Sequence, residues 1–412
     1  MANDFKNTSL VTRYAVKEFM NALVLGQKVD RQLDETKVFS GNKVGASASI
    51  RRPVMFEATA SATFSASDVQ EAIVPVTVNN RQHVGFTITD EDLSLKIEDA
   101  NERYIKPAMV ELAQVVESAI AATYTEIPNF VGTPGTTPTT FLVIGGAKKE
   151  ITKLGGPTTD LCGFWNAAAT LALADGLKGV YVQSSASKAI EEAAIGKYAG
   201  LMNYECNSIK SHTVGVATGT PLVNGADQNV TYATAKDTDT QTLITDGWTA
   251  DTAGILTAGD VITIAGVNSV NRRTREDTGD LQTFTVTATA ASGASTGPAT
   301  ITIAPPIIIS GPYQTVTAAP ADDAAITVKT GTGGTAYPQN LAFHKNAITM
   351  AFVPLDVAGD GAGVLQAREN FGDISITTTR WFTGSSMSMN YRFDILFDVF
   401  VQNRSMACRI TG

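Results

Sequence analysis

Between Val214 and about Thr335 the chain changes character: Thr, Ala, Gly and β-branched residues dominate, and helix-forming periodicity disappears. Within that stretch Val261 to Ala265, Phe284 to Thr289, Thr300 to Ile303 and Ala325 to Val328 alternate or run apolar. Turn residues punctuate them at Gly259-Asp260, Asn268, Gly279-Asp280 and Gly297-Pro298. Short strands separated by turn signals favour an antiparallel sheet closed into a small barrel, since closure leaves no unpaired edge. Helix and strand patterns mix on both sides, so the barrel is inserted into an α+β chain and not appended to it.

Before the insertion, Leu10, Tyr14, Val16, Phe19, Ala22, Leu23 and Val24 recur at helical spacing from Ser9 to Leu25, and Gly26 stands where a helix would stop. That stripe has no partner nearby, so it must dock on a later segment or on another chain. Residues 44–56 read as a strand broken by Pro53, and 73–88 as two strands around Asn79-Asn80. The small, polar stretch 57–72 between them has no core-forming pattern and suits reaching onto a neighbour. Thr89-Asp90-Glu91-Asp92 caps a helix over 91–126, with Met109, Leu112, Val116 and Ile120 on one stripe and Pro107 set to kink it near Ile105. After a Thr/Pro/Gly linker from Pro128 to Thr140 come a strand at Phe141–Ile144, helices near Gly163–Leu173 and Ser184–Ile195, and strands at Val180–Gln183 and Asn203–His212. Beyond the insertion the pattern predicts a helix over Gln339–Thr349, an apolar run Ala347–Pro354, and strands at Ile374–Phe382 and Tyr391–Ile410.

At 412 residues and 43% hydrophobic content the chain can build two or three cores, while only 17% of residues are charged. A net charge of −9 argues against tight nucleic-acid binding, which relies on Lys and Arg replacing counterions. It is compatible with enclosing a polyanion without adhering to it. No secretory signal follows Met1, and no apolar run is long enough to span a membrane. Cys162, Cys206 and Cys408 lack the paired spacing of a zinc or thiol-exchange site and read as reduced structural residues.

No catalytic constellation is legible. His83, His212 and His344 stand about 130 residues apart without neighbouring ligands and read as satisfied or surface histidines. Asp237-Thr238-Asp239 and Asp322-Asp323 lack the third ligand and glycine of a calcium loop and read as solvated turns. The glycines of Lys329–Pro338 are followed by no phosphate-binding Lys-Ser or Lys-Thr. No enzyme, cofactor or metal is therefore expected. A carbohydrate-binding barrel, as in an adhesin or decoration protein, is the alternative; it would need clustered aromatics, yet Tyr232, Trp248, Phe284 and Tyr313 are scattered.

The order of these parts resembles the coat proteins of tailed double-stranded DNA phages, in particular the subfamily from short-tailed phages with an inserted β-barrel. The most specific matches are ERYIKPAM (Glu102–Met109), GDVITIAGV (Gly259–Val267) and NLAFHKNAITMAFVPL (Asn340–Leu355). The resemblance implies an N-terminal arm (1–34), an extended loop with flanking strands (35–90), a spine helix and peripheral domain (91–154), and the first part of an apical domain (155–213). It places the inserted barrel at 214–337 and the apical return with C-terminal peripheral strands at 338–412. The segment from Trp165 to Ser211 is shorter than in that subfamily.

The implied function is a virion shell of hexamers and pentamers, assembled in the host cytoplasm around a scaffolding protein, with a portal at one vertex and expansion when DNA is packaged. Its partners would be copies of itself, the scaffolding and portal proteins and the enclosed double-stranded DNA, with no membrane; a decoration protein is left open. Candidate subunit contacts are Arg51 and Arg52 with Glu57, Asp68 and Glu71 on the loop, and Lys236, Asp237 and Asp239, where the subfamily has a charged loop between capsomers. Arg272, Arg273 and Arg275 read either as a mixed-charge barrel loop beside Glu276 and Asp277 or as a contact to the next capsomer. Pro107 is the candidate hinge.

Overall fold

A computed structural model describes residues 4–32, 47–52, 54–57, 62, 69–89, 101–177, 195–355, 364–371 and 373–412. Asp68, the cap beyond Thr89, the first ten residues of the expected long helix, the strand Val180–Gln183 and the helix Ser184–Ile195 up to residue 194 lie outside them. The chain divides into two units, one of Met1–Ser49, Pro75–Ile120 and Ile348–Phe400, the other of Ile50–Val74, Ala121–Ala347 and Val401–Gly412. Elements are numbered in chain order.

In the first unit α1 (Asp4–Ala22) lies on β18 (Leu365–Phe371) and β19 (Ile374–Thr383). The apolar stripe of the arm thus finds its partner at the far end of the same chain. Phe19 meets Phe352 edge-on with ring centres 6.5 Å apart, and Thr12 donates to the Thr378 hydroxyl at 2.9 Å. The sheet runs β1 (Asp30–Gln32), β17 (Ile348–Phe352), β20 (Ser388–Val401), β19, β18, with β4 (Asn80–Thr89) also paired to β20. The β4 register extends from Ser388↔Thr89 to Phe397↔Asn80.

The spine in this unit opens with a π-helical turn at Asn101–Ile105 and continues as α2 (Lys106–Ala122). Pro107 has no N–H to give and its ring crowds the carbonyl one turn back, so the turn before it widens instead of closing as α. Met109, Leu112, Val116 and Ile120 are buried along one face. Glu117 is buried as well, and its carboxylate accepts the N–H groups of Val24, Leu25 and Gly26 at 3.0, 2.9 and 2.9 Å. A charge taken from water needs such compensation, and three charge-assisted bonds provide it.

The second unit holds a seven-stranded sheet and the barrel. The sheet runs β5 (Phe130–Val131), β21 (Ala407–Thr411), β16 (Ala336–His344), β6 (Leu161–Trp165), β8 (Leu201–Glu205), β7 (Lys197–Tyr198), with β9 (Ser211–Thr213) on β16. The barrel runs β10 (Gly219–Val223), β11 (Gln241–Trp248), β14 (Ala299–Ala304), β13 (Asp277–Val286), β12 (Val261–Val270), β15 (Ile326–Val328). An antiparallel bridge between Leu222 and Ala325 brings its two edges together. Leu243, Ile262, Ile264, Phe284, Val286, Ile301 and Ile303 fill its interior. A two-stranded ribbon pairs β2 (Ser47–Arg51) with β3 (Ile73–Thr77).

Several sequence expectations need correction. The strand predicted at Phe141–Ile144 is the first turn of α3 (Phe141–Lys153), where Ile144, Ala147 and Ile151 are buried at helical spacing; the exposed Phe141 and Leu142 made the start look like a strand. The helix near Gly163–Leu173 splits into β6 and α4 (Ala167–Leu177), because Asn166 caps the helix, its side chain accepting the Ala169 N–H at 2.8 Å. Gln339–Thr349 is not an α-helix: β16 is a central strand with Asn340 to Phe343 all buried, only a single 3-10 turn follows at Lys345–Ala347, and strands covered on both faces lose the alternation that would reveal them. Asn203–His212 divides into β8 and β9, and Tyr391–Ile410 into β20 and β21, which belong to different sheets.

Candidate interaction site at the loop base and the barrel

Within the second unit residues 52–57 and 70–72, which we call the loop base, meet the barrel. The Arg52 N–H donates to the Ala72 carbonyl at 3.1 Å, closing the loop base. Tyr313 grips both limbs: its hydroxyl accepts the Met55 N–H at 3.0 Å and donates to the Gln70 carbonyl at 3.3 Å. Tyr232, on the one-turn helix α5 (Tyr232–Ala235), stacks on Tyr313 with ring centres 3.5 Å apart. Burial, and then its bond with Tyr313, push the Tyr232 phenol well above its usual pKa.

Beside the tyrosines, guanidinium groups gather at Asp239. Its backbone sits at φ 55°, a left-handed conformation that Asp tolerates, and this tight exit from α5 aims the carboxylate inward. Arg404 Nε is 3.2 Å and Arg52 Nη1 3.6 Å from Asp239 Oδ2. Arg404 also reaches the Glu126 carboxylate at 3.4 Å and the Glu126 carbonyl at 3.1 Å. Arg272 lines the same cleft; burial lowers its pKa, opposed by Asp239 and reinforced by Arg52 and Arg404.

The turn between β12 and β13 makes a second tie. Arg275, at φ 61°, donates to the Phe56 carbonyl at 3.2 Å and lies 3.7 Å from the Glu57 carboxylate. Arg273 donates to the Gly155 carbonyl at 3.0 Å, and Lys149 and Lys153 both reach Asp280, at 3.4 and 3.1 Å. Hydrogen bonds from Lys153 chiefly hold the Asp280 carboxyl below its usual pKa.

The structure therefore gathers Arg52, Asp239 and Arg272 at one cleft and pairs Arg275 with Glu57 in a separate tie, all within one chain. Lys236 joins through its carbonyl, 3.5 Å from Arg52 Nη1, while Glu71, Asp237 and Arg273 are exposed. The Arg51 side chain and Asp68 are outside the described residues, and Pro107 lies in the first unit. Sequence reasoning missed Arg404, Glu126 and the paired tyrosines. Their one signal was that Tyr232 and Tyr313 are isolated aromatics in an aromatic-poor stretch.

A second, buried network fastens the barrel to the sheet. Asp260, just before β12, accepts from His212 Nε2 at 2.8 Å, Thr330 Oγ1 at 2.8 Å, and the N–H groups of Thr257 and Gly215 at 2.7 and 3.0 Å. Burial works to raise its pKa, but these bonds, led by that from His212, hold it below the usual carboxylate value. His212 Nδ1 lies 3.2 Å from the Tyr124 hydroxyl. Arg409 sits over the Tyr124 ring and donates to the Gly259 carbonyl at 2.7 Å; burial lowers its pKa to about 10. Among the described residues no group of three or more His, Cys, Asp or Glu could hold a metal ion, and no helix is long and apolar enough to cross a membrane.

Comparison with known proteins puts this α+β chain in the class of structural major capsid proteins of tailed phages. The family model for the P22 coat protein, gene protein 5, matches residues 1–412, and the chain belongs to that family. It is 23% identical over 423 aligned residues to the major capsid protein of Acyrthosiphon pisum secondary endosymbiont phage 1, covering 96% of each. Among solved structures it is similar to the capsid of Ralstonia phage GP4, at 6% identity over 93% of this chain and 89% of that chain, with a TM-score of 0.46. It is also similar to the CUS-3 coat protein I-domain, at 33% identity over 27% of this chain and 97% of that chain, with a TM-score of 0.19.

Proposed function

We propose that this chain builds the virion shell as hexamers and pentamers, assembling in the host cytoplasm around a scaffolding protein, with a portal at one vertex and expansion on packaging. The observation that carries the reading is the family match across residues 1–412. The net charge of −9 suits a lining that encloses double-stranded DNA without adhering to it. Two ties bind the loop base, at residues 52–57 and 70–72, to the barrel. Charge pairing between neighbouring subunits fixes register more than affinity. Many such modest contacts, repeated around a closed shell, become strong together.

The π turn beside Pro107 supports a hinge there, because a widened turn changes shape more readily than a regular α-helix. Sedimentation velocity of the purified chain, with and without its scaffolding protein, tests the proposal. Closed particles of uniform size forming with scaffold are expected; a chain that stays monomeric with scaffold present overturns it.

A further inference from the structure

Arg52, Arg272 and Arg404 line a narrow cleft of about 70 Å³ at the loop base. Asp239 is the one acid among the described residues lining it, and Glu126, on the outer side of Arg404, is 43% exposed. Each nitrogen of Arg404 has a partner, in Asp239, the Glu126 carboxylate or the Glu126 carbonyl. Arg52 differs: its Nη1 contacts are 3.5 and 3.6 Å long, and its Nε is buried with no hydrogen-bond partner. Against these three guanidinium groups stand two carboxylates, leaving a local surplus of positive charge and an unused buried donor. The cleft is far below the roughly 300–1,000 Å³ of a small-molecule pocket.

We propose that this cleft binds a single oxyanion group, a phosphate or a carboxylate, between Arg52 and Arg272. Guanidinium forks match the oxygens of either group. Because Arg52 belongs to the loop base and Arg272 to the barrel, a bound anion bridges them and tightens the tie described above. The group could be a free ion or an acidic side chain of a second copy, and the test separates the two.

Subunits too dilute to associate are titrated with inorganic phosphate at constant ionic strength, following Tm and calorimetric heat. A free-ion site predicts saturable heat and a Tm rise of about 3 °C at a hundredfold excess over Kd. Both are lost in Arg272→Gln and Arg52→Gln; Arg272→Lys, which keeps the charge, guards against misfolding and retains partial binding. If dilute subunits give no saturable response, a shell structure with a neighbour's carboxylate within 3.5 Å of Arg52 or Arg272 assigns the second source. No phosphate response together with no neighbouring carboxylate in the cleft overturns the inference. The neighbour's carboxylate is sought in a shell that has formed, so failure of the inference leaves the shell reading standing, whereas a chain that forms no shell fails the shell reading by itself.

Discussion

His212 Nε2 and Asp260 Oδ1 lie 2.8 Å apart with their side chains 2% and 0% exposed, one on a strand of the sheet and the other at the entry to the barrel. This pair is the buried pin that holds the inserted barrel on the sheet of its unit. Removing one partner of such a pair strands the other's polar atoms without water, which costs more than the bond itself contributes.

Asp260→Asn should lower stability by about 3 kcal/mol, because Asn offers one acceptor where the carboxylate serves two sets of donors. Its pH dependence has a definite sign. The folded-state pKa of Asp260 is depressed, so its contribution is fully present above the unfolded carboxylate value near 3.9 and is lost as pH falls through the folded value. Urea unfolding at a series of pH values from about 6 to 3 should show wild type losing more stability than Asp260→Asn over that window. Parallel losses would contradict the assignment.

Glu117→Ala leaves the N–H groups of Val24, Leu25 and Gly26 without their acceptor in a buried turn. A cost of about 3 kcal/mol is expected, with Glu117→Gln milder because one acceptor oxygen remains. Limited proteolysis should cut first between residues 23 and 32 in the Ala variant; an unchanged cleavage pattern would show that the turn is held by packing alone.

Asp239→Asn should cost about 1–2 kcal/mol, since Arg404, 7% exposed, loses a charged partner while Arg52 keeps only its carbonyl contact. Arg52→Met should cost under about 1 kcal/mol, its approach to Asp239 being long. A double-mutant cycle on Asp239 and Arg404 should give a coupling larger than one on Asp239 and Arg52; the reverse order would contradict the geometry.

The barrel was legible because turn residues separate alternating apolar runs, a local signal. So was the buried stripe of α2. The central strand β16 was not, because burial on both faces erased its alternation and left a run that also suits a helix. The candidate cluster was half legible. Arg52, Asp239, Arg272, Arg275 and Glu57 stand out in a chain poor in charge, but their pairing joins residues up to about 220 positions apart, and nothing local encodes it. Arg404 and Arg409 lie near the C-terminus among apolar strands, where only tertiary burial reveals that they carry networks.

Pro107→Ala restores an N–H and should convert the π turn at Asn101–Ile105 toward regular α-helix. Precursor shells of the variant should then form but expand less completely than wild type, as read by particle diameter after heating. Normal expansion would remove Pro107 from the hinge.

The most direct test of the central claim is electron cryomicroscopy of the chain co-expressed with its scaffolding protein. Closed shells of hexamers and pentamers are expected, in which Tyr313 of each subunit still grips Met55 and Gln70 of its own loop base. Soluble monomers, or shells whose loop bases have left their own barrels, would contradict it.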